Sequence, residues 1–270
     1  MKILDLFAGI GGFSLGLEKT GGFETVGFVE WNETAQTVLR KHWSNVPIFG
    51  DIRAVNRAAL WESGIKHVDV LTGGFPCTDL SNSAKGSHKG LEGEASGLVY
   101  EFGRLAKELE PEWIIIENVP QIQKYKPQLE EIFNGYKLTY TNTDALEYGA
   151  YCRRKRTFII GHSRSRGGRE VSFKPEVHRQ ALRSGGCEDS APMLLPWKGG
   201  VSLERLSSCI IENTEANASR VRKGAGIPRS VGDGKLYLML GNSLSPLITE
   251  VIGNAILENT NEQDVHTTRI

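Results

Sequence analysis

The first twelve residues constrain the fold more than any other stretch. Ile3 to Phe7 is a short apolar strand with a single acid, Asp5, inside it, and it runs straight into Ala8-Gly9-Ile10-Gly11-Gly12. A buried strand, a glycine turn and a helix in that order open a nucleotide-type α/β fold, whose ligands sit beyond the carboxyl ends of the strands. The turn is not a clean dinucleotide fingerprint, because Ser14 stands where the last glycine of G-x-G-x-x-G belongs. Its partners must therefore be sought downstream. A second strand, Thr25 to Val29, ends in Glu30, 19 residues after Gly11, and an acid at that distance typically accepts hydrogen bonds from ribose hydroxyls. Trp31 offers a flat apolar surface to an adenine face. A third strand around Ile48 ends in Gly50-Asp51-Ile52, where Asp51 can accept from an adenine amino group. Glycines, Glu and Asp at three successive strand ends describe an adenosyl pocket.

A fourth apolar run, Val68 to Leu71, leads into Gly73-Gly74-Phe75-Pro76-Cys77-Thr78-Asp79-Leu80-Ser81. The glycines let backbone and ligand approach closely, and Pro76 fixes φ immediately before the cysteine, so the thiol is aimed beyond a strand end. Taken alone, a free cysteine is more often a small buried apolar side chain. The stretch after it, SNSAKGSHKGLEGEAS, is too polar and glycine-rich for a packed element and reads as a lid over Cys77.

The remaining elements are legible from periodicity. Asn32 caps a helix to about His42, and Gly97 to Leu109 carries a core-facing stripe of Leu98, Val99, Phe102, Leu105, Ala106 and Leu109. Pro111 breaks that helix. Trp113 to Ile116 forms a strand apolar on both faces, ending in Glu117-Asn118-Val119-Pro120. A helix near Lys126 to Phe133 and a strand around Lys137 to Asn142 precede Tyr148-Gly149-Ala150-Tyr151-Cys152-Arg153-Arg154-Lys155-Arg156 and the strand Thr157 to Ile160. From His162 to about Leu240 regularity fades into Gly, Ser, Pro and Arg, the signature of a small irregular lobe. Order returns at Gly241-Asn242-Ser243, before a helix opened by Pro246 with Leu247, Ile248, Val251, Ile252, Ala255 and Ile256 on its apolar face. The expected division is 1–162 plus 241–260 as one main domain, 163–240 as the small lobe, and 261–270 as a polar tail.

Composition narrows the class. A chain of 270 residues with 39% hydrophobic and 24% charged content suits a globular protein, and no apolar run approaches a membrane span. Because the chain opens on a core strand, no leader peptide is expected and a cytoplasmic location follows. Four cysteines (Cys77, Cys152, Cys187, Cys209) lie far apart with no C-x-x-C pair or adjacent His, so reduced thiols and no metal site are expected. With 32 basic against 32 acidic residues, bulk charge gives no argument for nucleic acid. Distribution does: from Arg153 to Arg183 ten basic residues face only Glu170 and Glu176. That run reads either as a solvated loop or as a phosphate-contacting surface that includes Arg164, Arg166 and Arg169.

Taken jointly, FAGIGG, Glu30-Trp31, GDI, GGFPCTDLS, ENVP, the arginines of YGAYCRRKRTFIIG, and GNSLSP before a final helix resemble the DNA (cytosine-5)-methyltransferases of the compact bacterial or phage type. The likeness spans Ile3 to about Ile256, apart from 163–240. It implies an α/β fold with a mainly parallel seven-stranded sheet, helices on both faces, and a small target-recognition lobe. It implies S-adenosyl-L-methionine as cofactor and double-stranded DNA as partner, acted on by a monomer, with a cognate restriction endonuclease where the enzyme is part of a paired system. Under the resemblance, Cys77 adds as thiolate to carbon 6 of a flipped cytosine. Glu117 holds the amino edge and ring nitrogen 3, and Arg154 and Arg156 are the strand-opening arginines, with Arg156 on the base's carbonyl oxygen. Phe7, Ala8, Gly9 and Gly11 line the methionine end of the cofactor, Glu30 the ribose, and Trp31, Asp51 and Ile52 the adenine. Pro76, Asn242 and Ser243 complete that pocket, while Ser81 and Ser83 of the lid touch DNA.

The chain departs from the family pattern at Thr78, at Ala95-Ser96 and at Tyr151-Cys152. None of these removes a group the reaction requires. Two other readings stay open, a tRNA cytosine-5 methyltransferase on the same fold and a catalytically silent homologue that binds DNA and cofactor. GFPCT in place of a Pro-Pro-Cys block, together with the basic lobe, favours DNA, and the intact set Cys77, Glu117, Arg154 and Arg156 favours catalysis.

Overall fold

A computed structural model of the chain describes residues 1–76, 90–93, 97–148, 154–173 and 244–267, with only the backbone described at Glu92 and at 261–267. Seven strands form one sheet: β1 (Lys2–Leu6), β2 (Glu24–Val29), β3 (Ile48–Phe49), β4 (Val70–Gly73), β5 (Trp113–Asn118), β6 (Tyr136–Asp144) and β7 (Lys155–Ser163), in the order β3-β2-β1-β4-β5-β7-β6. β7 alone is reversed, antiparallel to both β5 and β6. The helices are α1 (Gly12–Lys19), α2 (Glu33–His42), α3 (Arg57–Glu62), α4 (Leu98–Leu109), α5 (Lys126–Ile132) and α6 (Pro246–Thr267). This is the expected architecture. The short helix α3 is too brief to show a period in the sequence.

Strand alternation divides the core into two layers. Leu4, Leu6, Leu71, Ile114 and Ile116 face one side, where Val99, Phe102 and Leu105 of α4 and Leu129 of α5 cover them. Ile3, Val70, Trp113 and Ile115 face the other, beneath Phe13 and Leu17 of α1 and Ile248, Ile252 and Ile256 of α6. Both faces of β5 are thus buried, as its unbroken Trp-Ile-Ile-Ile run required.

The last helix returns to the first. A Cβ on Gly16 would collide with Thr249 Oγ1 and the Pro246 carbonyl, so the α1–α6 crossing needs glycine there. Thr249 Oγ1 donates to the Gly12 carbonyl at 3.2 Å, closing the contact. α6 runs on to Thr267, through the first residues of the expected polar tail 261–270. Its polar residues turn inward on the helix itself: Asn259 donates to the Ala255 carbonyl and Thr260 to that of Ile256, both at 2.8 Å. Nothing after Gly253 in this run is a glycine or proline that would stop it. Among the described residues no helix is long and apolar enough to cross a membrane.

Candidate active site

The carboxyl ends of β1, β2, β4 and β5 lie side by side, with Leu6 paired to Val29 and Gly73, and Gly73 to Ile116. The backbone after β1 is unusual. Phe7, Gly9 and Gly11 have φ of 51°, 55° and 86°, and for a non-glycine such as Phe7 the left-handed region costs about 1 kcal/mol or more. Strain of this kind persists at ligand-binding turns. A Cβ on Gly9 would meet nothing within 4 Å, so the turn is open on that side, whereas one on Gly11 would collide with the Trp43 ring at 2.6 Å. Trp43 backs the turn, its indole N–H donating to Glu18 at 2.9 Å. No sequence pattern flagged Trp43, since a lone aromatic at a helix end has no signature.

Glu30 reaches this turn from the end of β2. One carboxylate oxygen accepts the Gly9 N–H at 2.7 Å and the other the Asn32 N–H at 2.8 Å. Burial raises the Glu30 pKa, and the backbone amides of Asn32, Gly9 and Trp31 oppose that rise. The residue read as a ribose ligand therefore also ties two strand ends together, with lone pairs remaining on both oxygens. Trp31 beside it is 82% exposed, an indole face open to a planar ligand. Asp51 caps the single 3-10 turn Ile52–Ala54 and is paired with Arg53 at 2.8 Å, while Ile52 is buried. The guanidinium of Arg53 holds the Asp51 carboxyl below the usual range.

Below the turn, Asp5 is fully buried between two hydroxyl donors, Ser14 at 2.9 Å and Thr72 at 2.8 Å. Desolvation outweighs those bonds and raises its pKa to about 7. Asp5 thus joins β1, α1 and β4, the strand that leads to Cys77.

The two glycines before the cysteine differ in how closely they are packed, Gly73 against backbone and Gly74 against a side-chain end. A Cβ on Gly73 would lie 2.7 Å from the Leu6 carbonyl, and one on Gly74 2.9 Å from Glu117 Oε2. Glu117, near the end of β5, forms an ion pair with Arg156 across the β5–β7 contact, Oε1 to Nε at 2.6 Å. Asn118 donates to the Phe75 carbonyl at 3.2 Å, fixing the chain two residues before Cys77. In the sequence Asn118 reads only as one more polar residue after a strand, with no signature of this contact. The Arg154 backbone N–H is held by Asp144 at 2.9 Å. Pro76 is exposed at the edge of this group. Cys77, Ser81 and Ser83, Tyr151-Cys152, and Asn242 with Ser243 lie outside the described residues. Of the stretch read as a lid, only 90–93 is described, and against the expectation of no packed element it forms the 3-10 turn Gly90–Glu92 with Leu91 buried in the core. The chain resumes at Leu244, whose carbonyl would be 2.9 Å from a Cβ on Gly12, beside the turn.

The structure does not bring Arg164, Arg166 and Arg169 to this edge. β7 runs opposite to β5, pairing Phe158 with Glu117 but His162 with Trp113, so Arg164 lies about eight residues, roughly 26 Å of strand, from Arg156. All three are engaged there by the protein. Arg164 donates to the Asn134 carbonyl at 3.2 Å, Arg166 approaches Glu112 at 3.4 Å, and Arg169 donates to the Asn259 carbonyl on α6. The Arg169 backbone N–H also donates to His162 Nδ1 at 3.0 Å. Burial lowers the pKa of this histidine, which is packed against Trp113, and Glu112 opposes the shift. The sign of the charge run does not reveal the strand direction that carries Arg164, Arg166 and Arg169 to the opposite end of the sheet. Lys174, Arg179 and Arg183 lie outside the described residues, and among those described no cluster of His, Cys, Asp and Glu could hold a metal ion.

Comparison with known proteins agrees with this arrangement. A solved structure of a prophage-encoded E. coli protein superposes with a TM-score of 0.66 at 18% identity, covering 97% of this chain and 99% of that one, which shows the shared fold. Type II methyltransferase M.Bsp6I of Bacillus sp. is 36% identical over 170 residues, 60% of this chain and 52% of that protein. Type II methyltransferase M.HhaI of Haemophilus parahaemolyticus is 34% identical over 167 residues, 59% and 48%. The chain spans about half the length of these curated relatives. The profile of the C-5 cytosine-specific DNA methylases matches residues 1–185, more than half of the chain, and with the glycine turn, Glu30, Glu117 and Arg156 on one sheet edge, the chain belongs to that family.

Proposed function

We propose that the chain is a DNA (cytosine-5)-methyltransferase. The observation that carries this reading is the Glu117–Arg156 pair at 2.6 Å, set beside Gly74 on the strand end that leads to Cys77. An acceptor and a donor fork held together on one edge match the amino edge and carbonyl oxygen of a cytosine. The pocket next to it suits an adenosyl group: an open glycine turn at Gly9, carboxylates at Glu30 and Asp51, and the exposed face of Trp31. Phe7, Ala8, Gly9, Gly11 and Pro76 would hold S-adenosyl-L-methionine at its methionine end, Glu30 its ribose, and Trp31, Asp51 and Ile52 its adenine, with Asn242 and Ser243 closing the pocket. That cofactor supplies the methyl group.

The chain's own residues do the rest. The Cys77 thiolate bonds to carbon 6 of an extruded cytosine, pushing the ring electrons toward carbon 5. Glu117 steadies the amino group and ring nitrogen 3 while Arg156 donates to the carbonyl oxygen as negative charge is drawn onto it, and Arg154 opens the same strand. Once carbon 5 carries the methyl group, loss of its proton expels the thiolate and restores the ring. Ser81 and Ser83 close behind the base. The protein acts as a cytoplasmic monomer on double-stranded DNA, and the type II character of its relatives points to a cognate endonuclease as its functional counterpart.

Incubation with methyl-labelled S-adenosyl-L-methionine and unmethylated duplex DNA, followed by sequencing of the modified cytosines, tests this directly. Label at carbon 5 of cytosines in one sequence context is expected. Label in tRNA alone, or in neither nucleic acid with cofactor bound, would overturn it.

A further inference from the structure

The adenine side of the proposed pocket is a single 3-10 turn, Ile52–Ala54, closed by only two backbone bonds, Ala54 N–H to Asp51 and Val55 N–H to Ile52. One turn of this kind does not hold its shape unaided. Arg104, in the middle of α4, grips it from the side. One terminal nitrogen of its guanidinium donates to the carbonyls of Ile52 at 3.1 Å and Val55 at 2.9 Å, one at each end of the turn. The other two nitrogens face carboxylates of the same helix, Nε to Glu101 at 2.8 Å and Nη1 to Glu108 at 3.1 Å. With all three nitrogens engaged, the planar fork has a fixed orientation, which a flexible ammonium would not have. Glu108 extends the grip by accepting the Arg57 backbone N–H at 2.7 Å, at the start of α3 just after the turn. A surface ion-pair triplet at i, i+3 and i+7 is ordinarily worth little. Here its geometry serves the two carbonyls.

We infer that Arg104 is a positioning residue for cofactor binding, setting the backbone that carries Asp51 and Ile52 without touching the cofactor itself. The inference rests on the cofactor reading above. It places a determinant of cofactor affinity on α4, outside the residues that would touch the cofactor.

Calorimetric titration of S-adenosylhomocysteine into the wild type, Arg104→Gln and Arg104→Lys tests it, alongside duplex DNA binding without cofactor and kcat at saturating cofactor. Arg104→Gln is expected to raise the cofactor Kd at least tenfold and Arg104→Lys by less, with DNA affinity and kcat within about twofold of wild type. A merely structural role would lower cofactor affinity, DNA affinity and kcat together. That pattern, or an unchanged cofactor Kd in a folded Arg104→Gln protein, would overturn the inference. If Arg104→Gln does not fold, Arg104→Lys decides: it keeps the charge facing Glu101 and Glu108, and a wild-type Kd in it is equally contradictory. A wild type that binds no S-adenosylhomocysteine would defeat the cofactor reading itself, a result distinct from the failure of Arg104 alone.

Discussion

At the scale of single residues, the carboxylates of this chain do more than their positions in the sequence imply. The distance of Glu30 from the glycine turn suggests a ribose ligand, but its grip on the Gly9 and Asn32 amides comes from three-dimensional contact alone. Glu30→Gln keeps one acceptor and turns the other into a donor, which leaves one of the two amides unpaired at a cost of about 1 to 3 kcal/mol. The expected result is a lower Tm together with a cofactor Kd raised roughly tenfold or more; a raised Kd at unchanged Tm would show that the turn does not depend on Glu30. Asp5 makes a second case. Its pKa lies near 7 in the fold against 3.8 when solvated, so between those values the native state holds a proton that the unfolded chain has lost. Stability should therefore fall as pH rises from about 4 to about 7, by an amount on the order of a few kcal/mol. Asp5→Asn cannot ionise, and the two facing hydroxyls can rotate to suit it. Its Tm relative to wild type should climb between pH 5 and pH 8, and parallel Tm curves would contradict the assignment.

At the scale of elements, the strands and long helices were readable because each satisfies a local rule. Asn32 does cap α2, accepting the Thr34 and Ala35 N–H groups, and the stripe of α4 is the face buried under the sheet. What the sequence could not show is how strand ends meet. Gly9 and Gly11 look equivalent in FAGIGG, yet one borders open space and the other the Trp43 ring. Both have positive φ, so alanine costs each about 1 kcal/mol in backbone strain. Beyond that shared cost, Gly11→Ala must displace an indole and should lower Tm markedly, whereas Gly9→Ala should fold nearly as well and lose cofactor affinity. Thermal melts and calorimetry on the pair separate the two effects, and a reversed ranking would place the cofactor on the wrong side of the turn.

At the scale of the whole molecule, the reversed strand β7 decides which residues share a surface. It brings Arg156 to Glu117 and sends Arg164, Arg166 and Arg169 to the opposite end of the sheet, where they tie the chain beyond β7 to Asn134, Glu112 and α6. A count of charges along the sequence cannot see this, because antiparallel pairing puts neighbours in the sequence far apart in space. Replacing Arg164, Arg166 and Arg169 together by Ala should then leave the salt dependence of DNA binding unchanged while lowering Tm. Loss of three phosphate contacts would instead flatten the slope of log K against log salt by about 2.7. The strand ends that carry the candidate site were legible where an apolar run stops at glycine or acid, as at Gly73-Gly74 where β4 ends and at Glu117 near the end of β5. The supports were not, since Asn118, Trp43 and Arg104 act through contacts that have no sequence period. The central claim is that these strand ends aim Cys77 at carbon 6 of a cytosine. Its most direct test is incubation with S-adenosyl-L-methionine and duplex DNA containing 5-fluorocytosine, from which the carbon-5 substituent cannot leave as a proton, followed by peptide mapping of the trapped complex. A covalent adduct through Cys77, absent in Cys77→Ser, is the predicted result; an adduct through Cys152, or none at all from a protein that binds both ligands, would contradict it.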